Sequence, residues 1–547
     1  MAKGYRPVRR DQPFLLPPDM REWLPADHPV WLVIKAVDDH LDTSAFHALR
    51  RTGGPGTAGY DPDMLVSLLV WAYANGETSS RRIEQRCATD VAFRVICGGS
   101  FPDHVTIARF RAAFPGVVES LFTGVLVLCA KLGMGKLGVV TLDGTKIAAN
   151  ASKAANRTEE ALRKLAAERV ATHAATDAAE DELFGDGRRG DEVPPEAVDP
   201  ASRDERIRRA LAELEAERQA AGAEREAQAA AYLAAVESGQ PPAGPPPAAA
   251  AVAAARARLE RAEAAQRAKL AAWQAQRAAE AAAGAKRKPG GRKPFTPEAH
   301  AGVAKARAAL ERAEATAAER ERKAAAQKGP GPVRNITDVD SRLMPVRGGG
   351  FVQGYNAQNV VSEDKLITAT ELTCDPTDTT WFEPMLRAAE TAAALITAHQ
   401  PTAGGSAPAS GCPISLFLAD AGYCSEHNLT LAGPDRLIAT GKHRDLEHAA
   451  RQAAASPATT GDPPDEPVAA MAARLATPEG IAAYRHRGHI AETPHGHLKH
   501  NMRFRQLSLR GKPKASAEWR FACTVHNLVK AITTGHLTHQ ALATLPT

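Results

Sequence analysis

Residues 138–150 read GVVTLDGTKIAAN, a β-branched apolar run that ends at Asp143-Gly144. Such a run predicts a strand that delivers Asp143 near its end and then turns at the glycine. The chain changes character on both sides of it. Upstream, residues 1–138 carry helical patterns. WLVIKAVDDHLDTSAFHALR (31–50) places Trp31, Ile34, Val37 and Leu41 on one face. YDPDMLVSLLVWAYANG (60–76) predicts a buried helix that stops at Asn75-Gly76. SSRRIEQRCATDVAFRVICGG (79–99) predicts another, capped by Ser79 or Ser80, and FPDHVTIARFRAAF (101–114) a basic one.

Downstream, residues 152–333 shift to Ala, Arg, Glu, Gln and Lys. ERIRRALAELEAER (205–218) has Ile207, Leu211 and Leu214 at helical spacing, and ARARLERAEAAQRAKLAAWQAQRAAEAAA (255–283) predicts a second long helix. PPAGPPPAAA (241–250) must break helix between them, and KRKPGGRKPFTPEAH (286–300) is a basic Pro/Gly linker. Helical hairpins or a coiled coil are expected, with disorder at the Pro-rich joints and weak stability, because alanine seams bury little area.

Strand patterns return after residue 334. GFVQGYNAQNVVSED (350–364) and KLITATELTCD (365–375) predict paired strands, and TTWFEPMLRAAETAAAL (379–395) a helix. CPISLFLADAGYCSEHNL (412–429) predicts a strand ending at Asp420, then a turn and a short helix; RLIATGK (436–442) predicts a further strand. Residues 443–478 read as a loose connection and 479–533 as basic helix. The expected division is therefore 1–138, a helical domain; 139–151, the first strand of a core; 152–333, an insertion; 334–535, the rest of that core; and 536–547, a tail.

Composition narrows the class. At 547 residues the chain exceeds one ordinary core. With a mean hydropathy of −0.30 and no apolar run of about 20 residues, no membrane span is expected. The N-terminus lacks the apolar core of a secretory signal. Seven scattered cysteines with no C-x-x-C spacing predict reduced thiols in a cytosol and argue against a zinc-thiolate site. A net charge of +5 is compatible with a nucleic-acid partner.

A lone Asp after a strand is commonly a turn former or a cap. The segment YRHRGHIAETPHGHLKHNMRFR (484–505) adds weight, because Glu492 and Lys499 stand two helical turns apart. Glu492 is the one acid in a window that carries Arg485, Arg487, Lys499, Arg503, Arg505, Arg510, Lys512 and Lys514. Carboxylates converging from separate elements suit Mg²⁺ or Mn²⁺, and the cations suit phosphates.

These residues carry a resemblance. TLDGTKIAANAS (141–152), LADAGYCSE (418–426) and the set Tyr484, Arg487, Glu492, Lys499 resemble the DDE transposases of bacterial insertion sequences, in the branch with a Tyr-x-x-Arg…Glu-x6-Lys signature. FLLPPDMREWLPADHPVW (14–31), residues 60–96, DHVTIARFR (103–111), residues 338–361 and LRGKPKASAEWRFACTVHNL (509–528) resemble the same family. The resemblance implies an α/β, RNase H-like core with a mixed sheet flanked by helices, an all-helical N-terminal domain and a helical insertion after the first core strand. It implies Asp143, Asp420 and Glu492 as catalytic residues and as the ligands of two Mg²⁺ or Mn²⁺ ions. Tyr484, Arg487, Lys499, Arg503 and Arg505 would contact DNA. Metal-dependent cleavage at the element's inverted repeats, then strand transfer by the freed 3′-OH, would proceed in an oligomer, expected to be a dimer, in the bacterial cytosol. One departure is His495 before Gly496, where relatives often have an aromatic residue.

Alternatives remain open at this stage. They are an inactive DNA-binding remnant, a nuclease of the same fold without strand transfer, and a structural coiled-coil protein. The histidines around Glu492 lack the H-E-x-x-H spacing of a zinc site, so protonatable DNA-facing groups are the expectation. Tyr423 as a covalent nucleophile is rejected for want of the basic partners a tyrosine recombinase needs. The helix over 103–111 is a candidate for recognising the repeats.

Overall fold

A computed structural model describes residues 19–48, 59–169, 171, 203–239, 244–282, 292–326, 332–346, 348–401, 413–441 and 466–545. Parts of the expected joints and linkers (241–243, 286–291 and 443–465) lie outside the described residues. The chain divides into two compact units, one of residues 1–156 with 337–547 and one of residues 157–336. Among the described residues, no helix is long and apolar enough to cross a membrane.

The first unit is built on a six-stranded mixed sheet. Its strands are β1 (Val139–Ala148), β4 (Arg342–Pro345), β5 (Phe351–Ser362), β6 (Ile367–Thr373), β7 (Leu416–Ala419) and β8 (Asp435–Ile438); β2 (Asn156–Thr158) and β3 (Val333–Asn335) pair separately. The order is β4-β5-β1-β7-β8, with β6 also on β5. β1 runs antiparallel to β5 and parallel to β7, and β7 parallel to β8. The paired strands expected at 350–375 are β5 and β6.

The predicted turn at Asp143-Gly144 does not form. β1 continues to Ala148, with Asp143 opposite Asn359 and Gly144 opposite Gln358. Pairing to β5 along the whole strand holds it straight. The glycine serves close approach instead, since a Cβ there would stand 2.8 Å from Asp378 Oδ1 and 2.9 Å from Gln358 Nε2.

Among the described residues, seven α-helices precede the sheet: α1 (Pro29–His40), α2 (Ser44–Ala48), α3 (Pro62–Ala74), α4 (Ser80–Thr89), α5 (Val91–Ile96), α6 (His104–Ala112) and α7 (Val118–Lys131). Local chemistry sets their starts. Asp61, Asp90 and Asp103 accept from the first free backbone N–H groups of α3, α5 and α6. The single helix expected over 79–99 is thus two, broken at Asp90, whose carboxylate accepts from Ala92 N at 2.9 Å. The buried face of α1 is Val30, Val33, Ala36 and Val37, while Trp31 and Ile34 are only half-buried at its margin. These helices share one core with the sheet and with a late helix, through Tyr73, Phe114, Phe521 and Trp519.

The second unit holds α8 (Arg203–Ser238), α9 (Ala251–Ala282) and α10 (Ala301–Ala326). Ion pairs Arg256–Glu314 and Arg307–Glu263 fix α9 and α10 antiparallel. Its described apolar core is small, with Tyr232 and Val236 of α8 packed on Ala250 and Ala254. After the sheet's central strands come α11 (Phe382–His399), α12 (Glu426–Thr430), α13 (Pro467–Leu475), α14 (Pro478–Gly496), α15 (Lys512–Thr533) and α16 (His539–Thr544). α13 occupies part of the stretch expected to be a loose connection, because Met471 and Leu475 pack on Leu418 and Leu437.

Candidate active site

Two acids meet through strand register. β1 and β7 align Val139 with Leu416 and Thr141 with Leu418. Continuing that register two residues brings Asp143 beside Asp420 at the end of β7. Beyond β7 that edge of β1 opens, so both carboxylates stand where a ligand can approach.

α14 crosses this edge. The Tyr484 hydroxyl donates to the Ala419 carbonyl at 3.2 Å and docks the helix on the end of β7. Burial pushes the Tyr484 phenol up to about 12, so it stays a neutral donor. One turn on, Arg487 Nη2 lies 2.7 Å from Asp143 Oδ1 and 3.4 Å from Asp420 Oδ2. One guanidinium nitrogen therefore spans both acids, and Arg487 Nε is buried with no partner among the described residues. Burial raises the Asp143 carboxyl, but the His495 ring and the Arg487 charge outweigh it and hold the group below its ordinary range. Burial raises Asp420 as well; Arg487 pulls it back, Asp143 pushes it further, and the net shift is upward. Two neighbouring carboxylates thus differ in proton affinity.

His495 completes a directional chain. Trp519 Nε1 can only donate, and it gives to Thr370 Oγ1 at 2.8 Å. The Thr370 hydroxyl must then donate to Asn359 Oδ1, 2.6 Å away. This orients the Asn359 amide so that Nδ2 donates to His495 Nε2 at 3.2 Å. The proton of a neutral His495 is left on Nδ1, which faces Asp143 Oδ2 at 3.4 Å. The chain is buried throughout.

Past Pro494, α14 widens into a π-helical turn over His497–Asn501. The wider turn separates Glu492 from Lys499, which ideal helical spacing would align. Lys499 is half-buried, donating to Thr145 Oγ1 and, at 3.0 Å, to the Lys146 carbonyl. Burial lowers its pKa, against the opposing pull of Asp143. Glu492 is exposed and has no hydrogen bond or ion pair among the described residues; the structure does not bring it onto Asp143 or Asp420. Arg505 Nε donates to the Lys499 carbonyl at 3.0 Å, and Arg503 is exposed.

On the opposite face of β1 lies a group that the sequence did not single out. Asp378 Oδ1 accepts from Asn356 Nδ2 at 2.6 Å and Gln358 Nε2 at 2.7 Å, and Lys146 Nζ stands 3.6 Å away. Tyr423 is fully buried and donates to Gln358 Oε1, which suits a packing role. Period-2 alternation along β1 could have flagged Lys146, and the shared helix face of Arg487 and His495 could have flagged the histidine. Nothing local marks Asp378 or Asn359.

Carboxylate oxygens from two chain segments, spanned by a cation, form a hard-oxygen donor set of the kind Mg²⁺ or Mn²⁺ takes. Such a site can hold a divalent ion beside a phosphate.

Comparison with known proteins agrees in kind. A transposase domain family (DUF772) matches residues 18–113, covering α1 to α6. A transposase DDE domain family matches residues 453–532, which contain Tyr484, Arg487, Glu492 and Lys499. Asp143 and Asp420 lie outside both stretches. No curated protein and no solved structure matches the chain. DDE transposase domains act on DNA and generally use divalent metal ions, and the two matches, one on the N-terminal helices and one on the helices crossing the sheet edge, support a DDE transposase of an insertion element.

Proposed function

We propose that this chain cuts DNA at the ends of its own element and joins the freed 3′-OH to target DNA, using Asp143, Asp420 and Glu492 as the metal-holding carboxylates. The observation that carries this is the side-by-side placing of Asp143 and Asp420 on parallel strands, with Arg487 across both. The strand pattern supports an RNase H-like core: three antiparallel strands, β6, β5 and β1, followed by two, β7 and β8, parallel to β1. The domain roles follow from the same reading, with residues 1–138 serving end binding and 152–333 inserted in the catalytic core. A homo-oligomer on paired ends, expected to be a dimer, fits the family.

Asp143, Asp420 and Glu492 would hold the divalent ions, whose chemistry would be to offset charge on the attacking and leaving oxygens. The chain's own groups set the conditions. Arg487 spans the two aspartates, offsets their charge and stands as the cation nearest an approaching phosphate. His495 Nδ1 faces Asp143 Oδ2 and helps hold that carboxylate in its charged form. Lys499, anchored on β1, offers a cation beside the scissile phosphate, as do Arg503 and Arg505 further out. Glu492 starts from solvent on α14 and must swing toward the aspartates to join them.

The test is cleavage of labelled duplex carrying the element's ends, with Mg²⁺ or Mn²⁺. Wild type is expected to nick at the boundary and to form joined products; Asp420→Ala and Glu492→Gln are expected to lose both. Cutting that survives Asp420→Ala would sink the carboxylate assignment. Nicking without joined products would make the chain a nuclease.

A further inference from the structure

A second basic feature lies away from the paired acids. A cleft of about 1050 Å³ opens between the N-terminal helices and the segment after α14. Arg81 of α4, His104 and Arg109 of α6, and Arg503 and Arg505 line it, and no Asp or Glu does. These four arginines are exposed, while Arg111, which also lines the cleft, is buried and His104 Nδ1 lies 2.8 Å from Glu84. The side chains of Arg81, Arg109 and Arg503 have no hydrogen bond or ion pair among the described residues, whereas most described arginines hold a carboxylate or a carbonyl.

Arg503 is fixed in place. Its backbone is left-handed, at φ 53°, an uncommon state for a residue with a side chain. Its aliphatic stem lies over Gly76 at the end of α3, where a Cβ would stand 3.1 Å from Arg503 Cδ. A larger residue at 76 would push the arginine out of the cleft.

The cleft is tied to the acids by a single strand. Gln506 bridges to Ala148, and Leu507 N donates to the Ala148 carbonyl at 2.8 Å, so the floor of the cleft continues the open edge of β1. From Asp143 to Ala148 is five residues, about 17 Å at roughly 3.3 Å each. Along B-DNA, at about 3.4 Å per base pair, that is roughly five base pairs.

We infer that this cleft is a phosphate clamp for duplex DNA, gripping the backbone about five base pairs from the strand cut at Asp143 and Asp420. The position relative to the cut rests on the proposed cleavage function; the binding itself does not. The contacts proposed are to phosphate, because unpaired guanidinium groups pair with phosphate oxygens whatever the base sequence.

The full-length protein is titrated with a 20-base-pair duplex of arbitrary sequence over a range of salt. Wild type is expected to show a steep salt dependence. The triple variant Arg81→Ala, Arg109→Ala, Arg503→Ala is expected to weaken binding and to flatten the log–log slope by about 2.7, close to 0.9 for each lost contact. The corresponding triple lysine variant is expected to recover most of the slope, which separates lost charge from misfolding. On a duplex carrying the element's end, ethylation of phosphates about five base pairs from the cut is expected to weaken binding. An unchanged slope in the alanine variant, or no duplex binding by wild type, overturns the clamp. Duplex binding lost with the arginines while wild type fails to cut DNA would keep the clamp and reject the catalytic reading.

Discussion

At the scale of single residues, the site depends on side chains whose orientation is decided by what stands behind them. The chain from Trp519 through Thr370 and Asn359 to His495 leaves one tautomer facing Asp143. Thr370→Val removes the hydroxyl that orients the Asn359 amide. Cleavage is expected to fall by about 10–100-fold, as for partners behind a metal ligand, with duplex affinity unchanged. Equal loss of binding and cutting would contradict this. Gly144→Ala forces a Cβ against Asp378, Gln358 and Tyr423, with Tyr423 Oη at 3.2 Å. Overpacking of this kind is expected to cost about 1–3 kcal/mol, read as a lower urea midpoint.

At the scale of elements, α15 is the helix on which the first unit closes. It buries Glu518 completely, where Tyr73 Oη donates at 3.0 Å and the Ser508 and Leu509 amides at 2.8 and 2.9 Å. Arg111 of α6 stands 4.0 Å away, 5% exposed. Arg111→Met leaves that carboxylate without its cation and is expected to destabilise the fold by about 3–5 kcal/mol, measurable by denaturant unfolding. The same helix carries His526, whose Nε2 donates to the Lys365 carbonyl at 3.2 Å and whose Nδ1 accepts from His497 at 3.0 Å. Burial, with the neighbouring His497 and Lys530, lowers His526 from 6.5 to about 3. The unfolded chain therefore binds a proton more readily. This contribution to stability is complete above pH of about 6.5 and is lost progressively as the pH falls toward 3. Unfolding at pH 7.5 and pH 5 should show a smaller acid loss in His526→Leu than in wild type; equal losses would assign the effect to other groups.

At the scale of the whole molecule, the two units differ in how they are held. The first has a continuous apolar core from α1 to α16. The second relies on long helices with few buried apolar side chains and many surface ion pairs, which contribute little each. Calorimetry is expected to resolve two transitions, the lower one vanishing when residues 157–336 are replaced by a short turn. One transition in the full chain would show that the units unfold together.

The sequence by itself determined what periodicity and local chemistry can carry. The strands at Asp143 and Asp420, the helix with Tyr484, Arg487 and Lys499, and the Ala-rich insertion were legible because each is written in adjacent residues. Side-chain capping at Asp90 split the helix that apolar periodicity had run together. Tertiary structure alone decided that β1 runs straight through Asp143-Gly144, because β5 pairs along its whole length. It alone decided that Asp143 meets Asp420, that Asn359 and Asp378 flank them, and that Glu492 stands in solvent while Lys499 folds onto β1. Those outcomes depend on register between strands more than two hundred residues apart and on a π-helical turn that rotates one helix end. No local pattern encodes either, since pairing is a property of two segments and register is set by their combined burial.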